Sequence, residues 1–237
     1  MIRPLQRGTL RRRLATHLHD AILRAELSPG ERIVEGKLAR QLGVAQSSLR
    51  EALQELEHQG LVTRRDNLGT FVIKPSASDV EDIYVVRRQL EPLAARLARE
   101  RMTQDQLAQM VDLVEKMETA GARQDFVELL KTDLQFHRLI WHLSGNKSID
   151  RALNAVCPPL FASYLMKAKA GRPYNQARDL EEHRALTDVF AHGGPEEVEK
   201  TFQVIIETFR VQDVENLQVM DEGGLFPKSP QKNTRKR

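Results

Sequence analysis

The chain has 237 residues, 41% hydrophobic and 29% charged, with only 5% aromatics, which suits one large or two small domains packed through aliphatic helices. No apolar run reaches the ~20 residues that span a bilayer, no apolar signal core follows the basic start MIRPLQRGTLRRR, and the single Cys157 excludes an internal disulfide framework, so a cytoplasmic, soluble protein with no membrane partner is expected. The net charge of +3 hides a segregation: residues 1–75 carry +5, 76–221 carry −6 and 222–237 carry +4, so the front of the chain is the part suited to a polyanion.

In chain order, Leu10, Leu14, Leu18, Ala21 and Ile22 recur at helical spacing and predict a helix over residues 9–25, broken by Pro29 and Gly30 in LSPGER. Leu38, Ala39 and Leu42 predict a short second helix over 35–42. A tight turn at Gly43 and Val44 leads to a third helix, 46–59, with Leu49, Ala52, Leu53 and Leu56 on one face and Gly60 at its end. LVTRR and TFVIK read as two strands joined by DNLG, a hairpin turn. PSASD, 75–79, reads as a linker whose last residues cap the next helix. From Asp79 to about Leu217 the pattern is helical, with about six or seven helices, no strand, and breaks at AGARQ, SGNKS, CPP, AGRPYN and HGGPEE. The tail EGGLFPKSPQKNTRKR has the composition of a disordered segment. The fold class expected is mainly α. A winged helix-turn-helix domain is expected over 1–75, an all-helical bundle over 76–221, and a disordered basic tail over 222–237.

Three short helices, a turn and a hairpin make a winged helix-turn-helix the economical reading. With the leucines seated inward, Gln46, Ser47, Ser48 and Arg50 face outward on the first turns of the third helix. Small polar residues there admit the helix to a major groove. Arg50 suits phosphate or guanine and Gln46 suits adenine, while Gly69 in the hairpin lets backbone approach the DNA. A helical protein-interaction module is the plainer alternative.

In the helix over 125–144, Phe126, Leu130, Asp133, His137 and Ile140 fall on one row, which places an acid and an imidazole in the apolar stripe. His183 shares a row with Leu180, Thr187 and Phe190. Buried polar groups need partners, so the three point to a common site.

LSPGERIVEGKLARQLGVAQSSLREALQELEHQGLVTRRDNLGTFV closely resembles the GntR family of bacterial transcription regulators. VVRRQLEPLAARLA and DLQFHRLIWHLSGN resemble the helical FCD effector domain of its FadR-type subfamily. The resemblance runs over about residues 8–215. It implies a homodimer on a short palindromic operator, released or remodelled when a small organic acid enters the helical domain, with repression the commoner mode. It also implies an effector-facing Arg87, for which a surface ion pair with Glu91 is the alternative, and a divalent metal (zinc, nickel or manganese) on Asp133, His137 and His183. The family's fourth ligand falls here on Ile205, flanked by Val198, Phe202 and Phe209. Two outcomes compete: a three-ligand site with open positions, or no metal, with His137 protonated beside Asp133. The second is slightly preferred.

His142 lies about 140° around the helix from His137, and His192 is expected at the solvent. Ala45-Gln46 stands where relatives carry Ser-Arg, and Gly36 where some carry a DNA-reaching charge. Asn146 is expected to cap or turn the chain. Trp141 and Tyr164 are expected in the core rather than in a pocket wall, and Cys157 is expected to be structural. The rival readings are a metal-dependent enzyme using Asp133, His137 and His183 and an effector-independent architectural DNA-binding protein. The chain has no H-E-x-x-H, nucleophile–base pair or phosphate-binding glycine loop, so an enzyme is not expected.

Overall fold

The computed structural model describes residues 8–23, 26–58, 60–74, 76–161, 164 and 175–222. Three helices open the chain: α1 (Gly8–Leu23), α2 (Glu35–Leu42) and α3 (Gln46–His58). Leu14, Leu18 and Ile22 of α1 bury one stripe against α3, whose Leu49, Ala52, Leu53 and Leu56 have no exposed surface. Each leucine taken fully from water contributes about 1.5–3 kcal/mol, so this small core specifies the unit. α2 stops because Gly43 takes φ 64 and returns its N–H to the Ala39 and Arg40 carbonyls, a left-handed turn that only a residue without Cβ makes freely.

The hairpin is β2 (Val62–Arg65) and β3 (Gly69–Val72), antiparallel, with Arg65 opposite Gly69. A third strand, β1 (Arg32–Ile33), pairs with the outer edge of β3 and gives the order β1-β3-β2. The sequence reading missed it, since two residues are too few to display an alternation.

Ser76 then opens α4 (Ala77–Arg99) with a reciprocal capping box to Asp79, and Thr103 opens α5 (Gln104–Ala122) likewise with Gln106. Asp125, Asn146 and Asn175 cap α6 (Phe126–Leu143), α7 (Lys147–Val156) and α8 (Gln176–His192), and α9 (Pro195–Glu222) begins on a proline, the residue whose missing N–H costs least there. Asn146 therefore has the capping role expected of it. Beyond CPP the chain continues as a helical turn over residues 158–161. Among the described residues every element after β3 is helical. The expected basic tail lies outside the described residues apart from Glu222, which ends α9.

The helical and winged units share apolar core. Ala120 of α5 and Leu129 and Leu130 of α6 belong to the cluster built by α1, α3 and the sheet. At the exit of α3, Gly60 has φ 69, and a Cβ there would lie 2.6 Å from Pro159 and 2.8 Å from Pro158. One turn past Leu129 and Leu130, the same α6 presents Asp133 and His137 to the interior of the helical unit.

Candidate functional site

Two surfaces collect the residues singled out above. The first is the front of the winged unit. Gln46, Ser47 and Arg50 are exposed on the first turns of α3, and Ser48 is half-buried. Arg50 is not free: its Nε donates to Glu35 Oε2 at 2.7 Å. The other oxygen of Glu35 accepts a long, 3.5 Å hydrogen bond from Thr70 Oγ1 on β3. Gly69, beside Thr70, has φ 102, and the Arg32 guanidinium occupies the space next to it, 3.4 Å from where a Cβ would stand. Arg32 and Glu35 were not picked out in the sequence, because neither lies on the recognition helix.

The second is a cavity of ≈30 Å³ in the helical unit, lined by Arg87, Asp133, His137, His183, Ile205 and the aromatic rings of Phe161, Tyr164, Phe202 and Phe209, among others. That is room for about two water molecules. A metal ion with a water would fit; an organic acid would need the wall to open. Asp133, His137 and His183 are buried, and one ligand atom from each lies within 4.8 Å of the others. His183 Nε2 is 3.0 Å from Asp133 Oδ1 and its Nδ1 is 2.7 Å from the Asp179 carbonyl oxygen. His137 Nε2 is 3.5 Å from the same Asp133 oxygen, and its Nδ1 is 3.1 Å from Glu91 Oε1. That last contact is out of line with the ring N–H and leaves Nδ1 without a proper hydrogen bond. His183 thus turns Nε2 towards Asp133 with the Asp179 carbonyl behind it, the orientation that a second partner imposes on a metal-ligating histidine; His137 turns Nε2 the same way, with Glu91 close behind it but out of line.

Glu91 is the hub of the surroundings. Its carboxylate accepts Arg87 Nε at 2.6 Å and Trp141 Nε1 at 2.9 Å, and it has no exposed surface. Burial alone would raise its pKa; Arg87, then His137, overcome that and hold it down at about 2. For His183, burial disfavours the charged ring, but Asp179 and Asp133 outweigh it and raise the pKa to about 9. The surroundings therefore favour a proton on His183.

Arg87 does pair with Glu91, as one alternative had it, but inside the protein and in the cavity wall rather than on the surface. Its guanidinium also lies 5.2 Å from the Tyr84 ring and 5.8 Å from the Phe161 ring, within cation–π range. Tyr164 corrects the reading in the other direction: expected in the core, it is half-buried in the cavity wall and shares a 2.8 Å hydrogen bond with Tyr84. Trp141 is core as expected, with Glu91 taking its N–H. Cys157 is fully buried, and burial pushes its thiol pKa up, in keeping with a structural role. His142 and His192 are exposed. Ile205 sits in the cavity wall.

The family model described as bacterial regulatory proteins, gntR family, matches residues 10–72, and the FCD domain model matches residues 82–208. The chain is 32% identical over 190 residues to the Nta operon transcriptional regulator of Aminobacter aminovorans, covering 77% of this chain and 88% of that one. It is 33% identical over 141 residues to the HTH-type transcriptional regulator YdhC of Bacillus subtilis, covering 59% of this chain and 62% of that one. Among solved structures, McbR/YncC of E. coli superposes with a TM-score of 0.71 at 20% identity, over 89% of this chain and 99% of that one, a likeness of fold.

Proposed function

Because the chain belongs to the GntR family of bacterial regulatory proteins and carries an FCD domain behind its winged helix, we propose that it represses a metabolic operon and releases it when a small organic acid enters the helical unit. The family makes it a DNA-binding transcription regulator and excludes the enzyme reading. The proposal adds the reading head, the assembly and the effector site. Gln46, Ser47, Ser48 and Arg50, with backbone at Gly69, read a palindromic operator. Two copies related by a two-fold axis supply the two heads, and the larger helical unit supplies their interface. A relative from Paenarthrobacter nicotinovorans is named a probable D-xylose utilization operon transcriptional repressor, which supports repression as the mode.

The observation that carries the effector site is the paired orientation of the two imidazoles. Asp133, His137 and His183 would hold a divalent ion, zinc, nickel or manganese by the chemistry of an N₂O donor set. When bound, that ion would offer open positions to an effector carboxylate. Arg87 in the same wall supplies a cation for a second carboxylate oxygen. Ile205 leaves the fourth protein position apolar, so the open side belongs to water or effector. The charge that Asp179 and Asp133 stabilise on His183 supports a metal-free variant of the same reading, in which His183 and Arg87 receive the acid directly. A buried acid and two buried imidazoles gathered on one cavity favour this reading over an effector-independent architectural protein.

The test uses tag-free, full-length protein and a duplex that it selects from a random pool. Elemental analysis measures bound metal. Fluorescence anisotropy then follows DNA binding against a panel of mono-, di- and tricarboxylates, with and without added zinc. An acid of the right class should weaken DNA binding by about 5- to 150-fold, and Asp133→Ala and His183→Ala should retain DNA binding and lose the response. An acid that releases both variants as well as the native protein places the effector elsewhere.

A further inference from the structure

A carboxylate on a face that approaches a polyanion repels every phosphate it meets, yet Glu35 stands on that face beside Arg50. It is the first residue of α2, and its side chain is 19% exposed against 60% for Arg50. Its two oxygens have separate partners: Oε2 takes Nε of Arg50 from α3, and Oε1 takes the hydroxyl of Thr70, a buried residue of β3 next to Gly69. One side chain therefore links the start of α2, the recognition helix and the wing.

The choice of guanidinium edge matters. Arg has five N–H donors in a fixed planar fork, and its terminal pair of nitrogens can engage guanine or phosphate bidentately. Glu35 engages Nε, on the side of the fork, and so leaves the terminal edge free while fixing the plane in which it lies. An unrestrained arginine loses rotamer freedom on docking, which costs affinity. One already held in place loses less.

We infer that Glu35 is a positioning residue of the DNA-reading surface: by holding Arg50 at Nε and tying it to the wing through Thr70, it increases discrimination between sequences at the expense of overall DNA affinity. This rests on the reading of Arg50 as a DNA contact. It separates from a mere helix-stabilising role for an acid in the first turn of α2, and from simple charge repulsion, because those alternatives shift binding to all sequences alike.

The experiment measures dissociation constants for the duplex selected by the native protein and for a shuffled duplex of equal length, at one moderate salt concentration. Glu35→Ala should bind the shuffled duplex as tightly as native protein or more tightly. Its ratio of selected to shuffled affinity should fall about three- to tenfold. Glu35→Gln, which keeps an oxygen acceptor at the start of α2, should fall between native and alanine, and it decides the matter if the alanine variant does not fold. In an Arg50→Ala background, Glu35→Ala should lower the ratio no further. An unchanged ratio in both Glu35 variants, or an equal fall without Arg50, overturns the inference and leaves Arg50 as a contact. A ratio that Arg50→Ala itself does not lower removes Arg50 as a base contact, and the inference with it.

Discussion

Zinc binding to the helical unit should strengthen steeply with pH. To ligate, His183 must offer a neutral Nε2, but in the unliganded protein burial is outweighed by Asp179 and Asp133, which raise its pKa to about 9. At pH 7 the neutral ring is then about one part in a hundred, two pH units below the midpoint, and apparent zinc affinity is lower by ~100-fold, or ~3 kcal/mol, than its limiting value. Affinity should rise about tenfold per pH unit between pH 7 and 8.5 and level off above about 9. Competition against a chelator of known pH dependence measures the slope. Calorimetry at pH 7 in two buffers of different protonation enthalpy should show about one proton released per zinc from this ring. His183→Gln, which loses both ligand and proton, should bind more weakly and with a shallower slope. A flat affinity between pH 7 and 8.5 would refute the argument, since His183 would then be either already neutral or not a ligand.

The same ring sets a stability window. Its folded pKa lies above its ordinary value of 6.5, so its contribution is complete below about pH 6.5 and is lost as pH rises through about 9; the unfolding free energy of metal-free protein should fall over that range by an amount on the order of 3 kcal/mol, and its thermal midpoint should fall with it. Glu91→Ala leaves Arg87 buried without its partner and should cost about 3–5 kcal/mol in denaturant unfolding; a loss under 1 kcal/mol would mean that the pair carries no structural weight. Arg50→Ala should weaken binding to the selected duplex by ~1–3 kcal/mol with an unchanged thermal midpoint, and equal affinity would remove Arg50 from the reading head. Ile205→His adds an imidazole to the cavity wall and should raise the metal retained through dialysis against a weak chelator; retention that is already stoichiometric in native protein would show that three ligands suffice.

Much of this was legible in the residues. The turn at Gly43, the inward leucines of α3, the linker cap and the row carrying Asp133 and His137 all follow from spacing and backbone preference, which are local properties. The partners behind the site were harder. Asp179 and His183 in DLEEH repeat the spacing of Asp133 and His137 in DLQFH, a signal present in the chain and passed over. Arg87 and Glu91 are also four apart, but spacing on a helix says only that two side chains meet, not whether water reaches them, and here α6 and its neighbours cover the pair. Burial is set by elements far away in sequence. The same limit explains Tyr164 in the cavity wall and Glu35 holding Arg50 fifteen positions on.

The contact of Gly60 with Pro158 and Pro159 bears on how freely such regulators can be recombined. A grafted winged unit with any side chain at position 60 would meet two rigid rings at 2.6–2.8 Å, and the left-handed φ there already disfavours anything but glycine. The two prolines belong to the turn that leads to Phe161 in the cavity wall. A winged unit exchanged into this chain therefore has to carry this joint along with the helices it connects. A chimaera that keeps its recognition helix but loses the glycine would inherit an address and lose its fitted joint to the helical unit.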